Sequence, residues 1–192
     1  MKIKNIFKMW LKVLIKPNEI FREEKEKSTL ELGMTNMILS FIIIYFIKSI
    51  FLLKDLSIYS ILFSYSPLFT DFISYVFIWF SFSIIIFLFS KLLKGKGNFE
   101  QQSYLISIFM APLSILYSIL SEIIGFMSFS EIISVTYYGL FGNVLTPLFL
   151  VITAFFAFLS TKKVHEFSYL KAALSVIIIF SIIFMTFFIG AF

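Results

Sequence analysis

The chain has no cysteine and a single histidine, His165, and only 14% of its residues are charged. Without cysteine, thiol chemistry is excluded, and one histidine is too few for a site built on the usual nitrogen and sulfur metal ligands. His165-Glu166 opens like a His-Glu-x-x-His zinc motif, but Tyr169 stands where the second histidine would have to be. Gly95-Lys96-Gly97 lacks the second half of a phosphate-binding loop, and no Gly-x-Ser-x-Gly elbow occurs. There is no Asn-x-Ser/Thr acceptor for glycosylation. No catalytic, cofactor-binding or metal-ligating residue emerges, and the chain reads as no enzyme. No cleavable leader is expected either, because the first residues carry charge for too long.

What is present is apolar. Of 192 residues 60% are hydrophobic and 28 are phenylalanine, with a mean hydropathy of +1.00. Water-soluble domains average roughly 45–50% apolar and about 25% charged residues. A chain of this length could not hide such an excess from water. The fold class is therefore read as all-α: a polytopic membrane protein with five transmembrane helices, at about 32–53, 72–93, 104–124, 140–160 and 169–189. These form one domain, 32–192, preceded by a 1–31 segment at the cytoplasmic interface. Pro67 and several Ser and Tyr make 54–71 an interfacial or re-entrant loop, and 125–139 is expected as a loop with Tyr137 and Tyr138 at an interface.

Residues 1–16 never run apolar long enough to span. Ile3, Ile6, Phe7, Trp10, Leu11 and Leu14 share one helical face, and Lys2, Lys4, Lys8, Lys12 and Lys16 take the rest. That is the pattern of a basic interfacial helix, with Trp10 and the lysines at the membrane surface. The charge is assigned to the lipid bilayer rather than to nucleic acid. Pro17 breaks this helix, and Asn18–Lys27 reads as a second short one. Ser28 with Glu31 is a candidate capping box for span one, and Asn98 with Gln101 for span three.

Span three carries Ser103, Ser107, Ala111, Ser114, Ser118, Ser121 and Gly125 at three- and four-residue intervals. Span four carries Gly142, Thr146, Thr153 and Ala157. In lipid, rows of small residues let helix backbones approach, which stands in for the hydrophobic drive that water supplies. Span three is therefore expected at the centre, packed directly on span four through Ser107, Ala111, Ser114, Ser118, Gly142, Thr146, Thr153 and Ala157. Pro112 and Pro147 should bend the two spans. Lys48, five residues from the end of span one, reads as a side chain that snorkels outward. Turned inward, its partner would be Glu122 or Asp71.

Of the 16 Lys and Arg, eight lie in residues 1–31, three at Lys91, Lys94 and Lys96, and three at Lys162, Lys163 and Lys171. With five spans these 14 share one side. By the positive-inside rule the N-terminus is cytoplasmic and the C-terminus outside.

Three stretches then resemble the Yip domain family of multispanning membrane proteins. They are Trp10 with Lys16-Pro17 and Ile20-Phe21; the turn Lys94-Gly95-Lys96-Gly97-Asn98-Phe99 leading to Ala111-Pro112; and Val164-His165-Glu166-Phe167-Ser168 before Lys171-Ala172. The resemblance implies a five-span bundle without an assigned activity and, from its eukaryotic members, a small GTPase as partner. The Phe, Ile and Lys bias suggests a prokaryotic cell membrane. The function expected is that of a non-enzymatic membrane protein acting by helix–helix association, as a homo-oligomer or with another membrane protein. The alternatives are membrane remodelling or lipid handling, and a small permease or channel, which would need a cavity reaching Lys48, Glu122 or Asn143.

Overall fold

The computed structural model describes residues 3–52, 68–129 and 135–189, with their side chains except at 52, 129, 135–142 and 182–189. Among these residues seven helices occur and no strand. They are α1 (Ile3–Ile15), α2 (Pro17–Lys25), α3 (Leu30–Leu52), α4 (Leu68–Leu92), α5 (Phe99–Phe129), α6 (Val135–His165) and α7 (Tyr169–Ile189). By length and apolarity α3 to α6 can each cross a bilayer, and α7 adds a shorter apolar stretch over Tyr169–Ser181. At 21 residues, α7 is about 31 Å long at 1.5 Å per residue, close to the ~30 Å of a hydrocarbon core. The all-α polytopic reading holds.

Span three, as α5, is the central helix. Of its apolar window 61% is buried, against 22–28% for the other three long helices. It packs most extensively on α3, then on α6 and α4, and α1 and α2 also rest against it. α7 closes the far side against α6 and α4.

Several boundaries differ from the sequence reading. α4 begins at Leu68, four residues before 72. The loop expected at 125–139 is mostly helix, since α5 runs on to Phe129 and α6 starts at Val135. A glycine inside a helix costs about 1 kcal/mol relative to alanine. In a bilayer, releasing backbone groups from the helix costs several kcal/mol each, so Gly125 does not end α5. Thr29, not Ser28, caps α3: its Oγ1 accepts from the Leu32 N–H at 3.2 Å, while the Ser28 hydroxyl donates to the Lys25 carbonyl. The Asn98–Gln101 box forms as expected. Gln101 N–H donates to Asn98 Oδ1 at 2.8 Å, and Asn98 N–H to Gln101 Oε1 at 3.4 Å. Pro112 and Pro147 both lie inside unbroken helices. The interfacial loop read at 54–71 falls, up to residue 67, outside the described residues.

Candidate functional site: a basic end and a polar cleft

At one end of the bundle three segments meet. α4 and α6 both finish in the same hydrogen-bonded turn. Gly95 N–H reaches back to the Ser90 carbonyl and Lys94 N–H to that of Lys91; Phe167 N–H reaches the Lys162 carbonyl. Such turns place one residue in the left-handed region, normally glycine. Here Lys94 (φ 63°) and Glu166 (φ 55°) hold those places. The turns lie against each other. Lys96 N–H points to the His165 carbonyl at 3.4 Å, and Gly95 and Gly97 leave room for no side chain against His165 and Val164. Glu166 joins the segments, with Lys96 Nζ at 3.0 Å and Lys25 Nζ of α2 at 3.4 Å. Replacing Lys94 by glycine removes a left-handed side chain whose cost is about 1 kcal/mol. Lys94→Gly is accordingly expected to raise the melting temperature by a few degrees.

The two lysines hold the Glu166 carboxyl below the usual carboxylate range, Lys96 more than Lys25. A lowered folded-state value means the stabilisation is present where the unfolded carboxyl is already ionised, and is lost as pH falls through the folded value. Wild-type and Glu166→Gln melting curves should therefore differ at pH 7 and converge only as the pH is taken below the ordinary carboxylate range.

Beneath this end lies a buried polar layer. Tyr104 donates its hydroxyl to Glu24 Oε2 of α2 at 2.9 Å. Trp79 Nε1 donates to the Ser103 carbonyl at 3.1 Å. Asn36 of α3 donates to Ser107 Oγ at 3.0 Å, and Ser107 in turn donates to the Tyr104 carbonyl. Gly33 brings α3 up to Trp79 and the backbone of Tyr104.

Toward the opposite end the helices part. A cleft of about 600 Å³ opens between α3, α4, α5 and α6. Lys48, Glu122, Ser118 and Ser121 line it on the polar side, and Ile44, Met110, Leu113 and Leu150 on the apolar side. Lys48 and Glu122 both border this space, but they form no ion pair within 4.0 Å. The Lys48 ammonium lies 5.7 Å from the Tyr45 ring centroid. Asp71, the other candidate partner, accepts instead from Tyr45 Oη at 3.0 Å. Ser118 is 7% exposed, and its hydroxyl has no hydrogen-bond partner.

A family model described as the Yip1 domain matches residues 11–191. The chain belongs to the Yip1 domain family. No curated protein and no solved structure matches it. The matched Yip1 stretch takes in α1 from Leu11, the basic end and the cleft alike.

Within the Yip1 domain the residues singled out from sequence separate into groups. Ser107 and Ala111 are fully buried, and Ser107 meets α3 rather than α6. Ser114, Ser118, Thr146 and Thr153 line the cleft. Ala157 is buried in α6, and Gly142 lies in α6 where surroundings are outside the described residues. α5 and α6 do pack together, but partly through rings. Phe109 stacks on Phe156 at 5.7 Å, and Tyr117 meets Phe149 edge-on at 5.3 Å. Rings of that size hold two backbones apart, so the small residues beside them border a space instead of a seam.

At the surface, Trp10 does not face lipid. With Ile6, Met9 and Val13 it is buried in the bundle, because that face of α1 rests on α2 and α5. Lys4, Lys8, Lys12 and Lys16 are exposed. Lys2 lies outside the described residues. The sequence reading missed Trp79 and Tyr104 as the organising side chains. Hydropathy alone does not separate Trp79 from the phenylalanines around it, and Tyr104 reads as one more residue at a span end.

Proposed function

We propose that this Yip1 domain protein is a non-enzymatic, multi-pass membrane protein that holds an interfacial helix against the anionic cytoplasmic leaflet. One observation carries the reading: α1 has three faces, not two. Ile6, Met9, Trp10 and Val13 are locked onto the bundle, while Ile3, Phe7, Leu11 and Ile15 are 41–77% exposed. The exposed apolar row runs at four-residue intervals, and one residue on from each member stands a lysine: Lys4, Lys8, Lys12 and Lys16. An apolar row flanked by a lysine row suits insertion at the head-group boundary, with each lysine adding about 1 kcal/mol of attraction to an anionic surface. Docking on α5 fixes the depth and angle at which α1 enters. The lysine and arginine distribution supports a cytoplasmic N-terminus and an exterior C-terminus. A small GTPase, the partner class that the family likeness brings, would meet the exposed Arg22 and Glu23 of α2 and Glu26 just beyond it.

The cysteine-free chain makes the test direct. Fluorescent probes on Leu11→Cys and Lys8→Cys in the full chain, reconstituted in vesicles with and without 30% phosphatidylglycerol, report depth through lipid-soluble and aqueous quenchers. The Leu11 probe is expected in the lipid-quenched zone and the Lys8 probe in the aqueous one. Replacing Lys12 and Lys16 by glutamine should weaken insertion by about 2 kcal/mol. Equal aqueous quenching of both probes in anionic vesicles would sink the reading.

A further inference from the structure

The geometry points to the cleft between α3, α4, α5 and α6 as the seat of one ethanolamine phospholipid, its zwitterionic head held between Lys48 and Glu122. This site lies at the end of the bundle away from α1 and does not depend on what α1 does. An ammonium group and a carboxyl group, Lys48 and Glu122, line one space without closing an ion pair. Each is expensive at this depth unless matched. A group carrying a cation and an anion a few bonds apart matches both. Its phosphate would accept from Lys48, and its ammonium would donate to Glu122.

The lining narrows the class of head group. The Ser118 hydroxyl is buried without a partner on the cleft wall, and a primary ammonium brings three N–H donors that such oxygens can accept. A quaternary ammonium has none and is held instead by open aromatic faces. Of the three rings on the cleft wall, Tyr117 and Phe149 are turned edge-on to each other with the Tyr117 hydroxyl engaged with Thr146 at 3.1 Å, and Tyr75 lies against the Phe41 ring with its hydroxyl 2.9 Å from that of Ser40. A purely anionic head would leave Glu122 unmatched. Met110, Leu113 and Leu150 offer an apolar wall to the first carbons of the acyl chains, and the volume falls within the ordinary range for ligand clefts, roughly 300–1,000 Å³.

The test uses the full chain in nanodiscs of equal phosphatidylethanolamine, phosphatidylcholine and phosphatidylglycerol, with the lipid retained after detergent release counted by native mass spectrometry. The wild type is expected to retain phosphatidylethanolamine about tenfold over either competitor, the scale of one charge-assisted hydrogen bond. Glu122→Gln and Lys48→Met should each abolish the preference. Ser118→Leu, which fills the cleft and keeps both charges, should displace the lipid while leaving the depth of a probe on Leu11→Cys unchanged. Equal retention of the three lipids by the wild type overturns the proposal, and so does a preference that survives both charge variants. Displacement by millimolar free phosphoethanolamine would assign the cleft to a soluble zwitterion and overturn the lipid assignment. If the charge variants fail to fold, the wild-type ratio and Ser118→Leu decide.

Discussion

Trp79→Ala is expected to cost about 4 kcal/mol of unfolding free energy, the middle of the range for emptying a buried tryptophan site. Trp79 is fully buried, and it is among the largest side chains in the protein with no exposure. It stands where α3, α4 and α5 meet. A Cβ on Gly33 of α3 would come within 3.0 Å of its ring, and its Nε1 donates to the Ser103 carbonyl of α5. Removing the ring therefore takes contacts from three helices at once and leaves a cavity that the helices cannot close. Trp79→Phe keeps most of the volume and drops the hydrogen bond, so it should cost about 1–2 kcal/mol. Phe77, 67% exposed on the same helix, is the control: Phe77→Ala should leave the midpoint of unfolding in mixed detergent micelles nearly unchanged. An equal effect of Phe77→Ala and Trp79→Ala would show that the ring is not the joint between the helices.

Most of the architecture was legible because the bilayer imposes it. Apolar runs of about twenty residues must be helices there, and the order of the spans, the central place of α5 and the cap at Asn98 follow from runs, intervals and the three-residue spacing of Asn98 and Gln101. What the pattern could not rank was which neighbour each face of α5 meets. Ser107 and Ser118 lie on the same row, yet one closes on Asn36 of α3 and the other borders a cleft. The difference comes from rings on the partner helix α6, Phe149 and Phe156, which a stripe of small residues does not register. The N-terminal helix shows the same limit. Its apolar residues were counted as one face, but the count has no way to say that the bundle takes Trp10 and Val13 and leaves Leu11 and Ile15 outside. Lys48 and Glu122 were visible as a possible pair; that they share a cleft without closing it is a matter of helix separation.

The second large effect is expected at the basic end. Gly97 precedes the cap of α5, and a Cβ there would stand 2.6 Å from the Val164 carbonyl oxygen as well as overlapping a Val164 methyl. A clash with the tip of a side chain can be relieved by rotation. A clash with a carbonyl at the end of α6 requires the two turns to separate. Separation would pull Lys96 away from Glu166 and loosen the Lys25–Glu166 contact that ties in α2. Gly97→Ala is thus expected to lower stability by about 3 kcal/mol, the upper part of the range for overpacking, read as a loss in unfolding midpoint and as new protease sensitivity between α4 and α5. Val164→Ala in the same chain removes the methyl but not the carbonyl, so it should restore less than half of the loss. Full restoration would place the obstruction in the side chain alone, and a Gly97→Ala protein as stable as the wild type would mean that the two turns are not held against each other. A tolerated Gly97→Ala would mark a loop chosen for flexibility, whereas the expected loss marks one chosen because two backbones must touch.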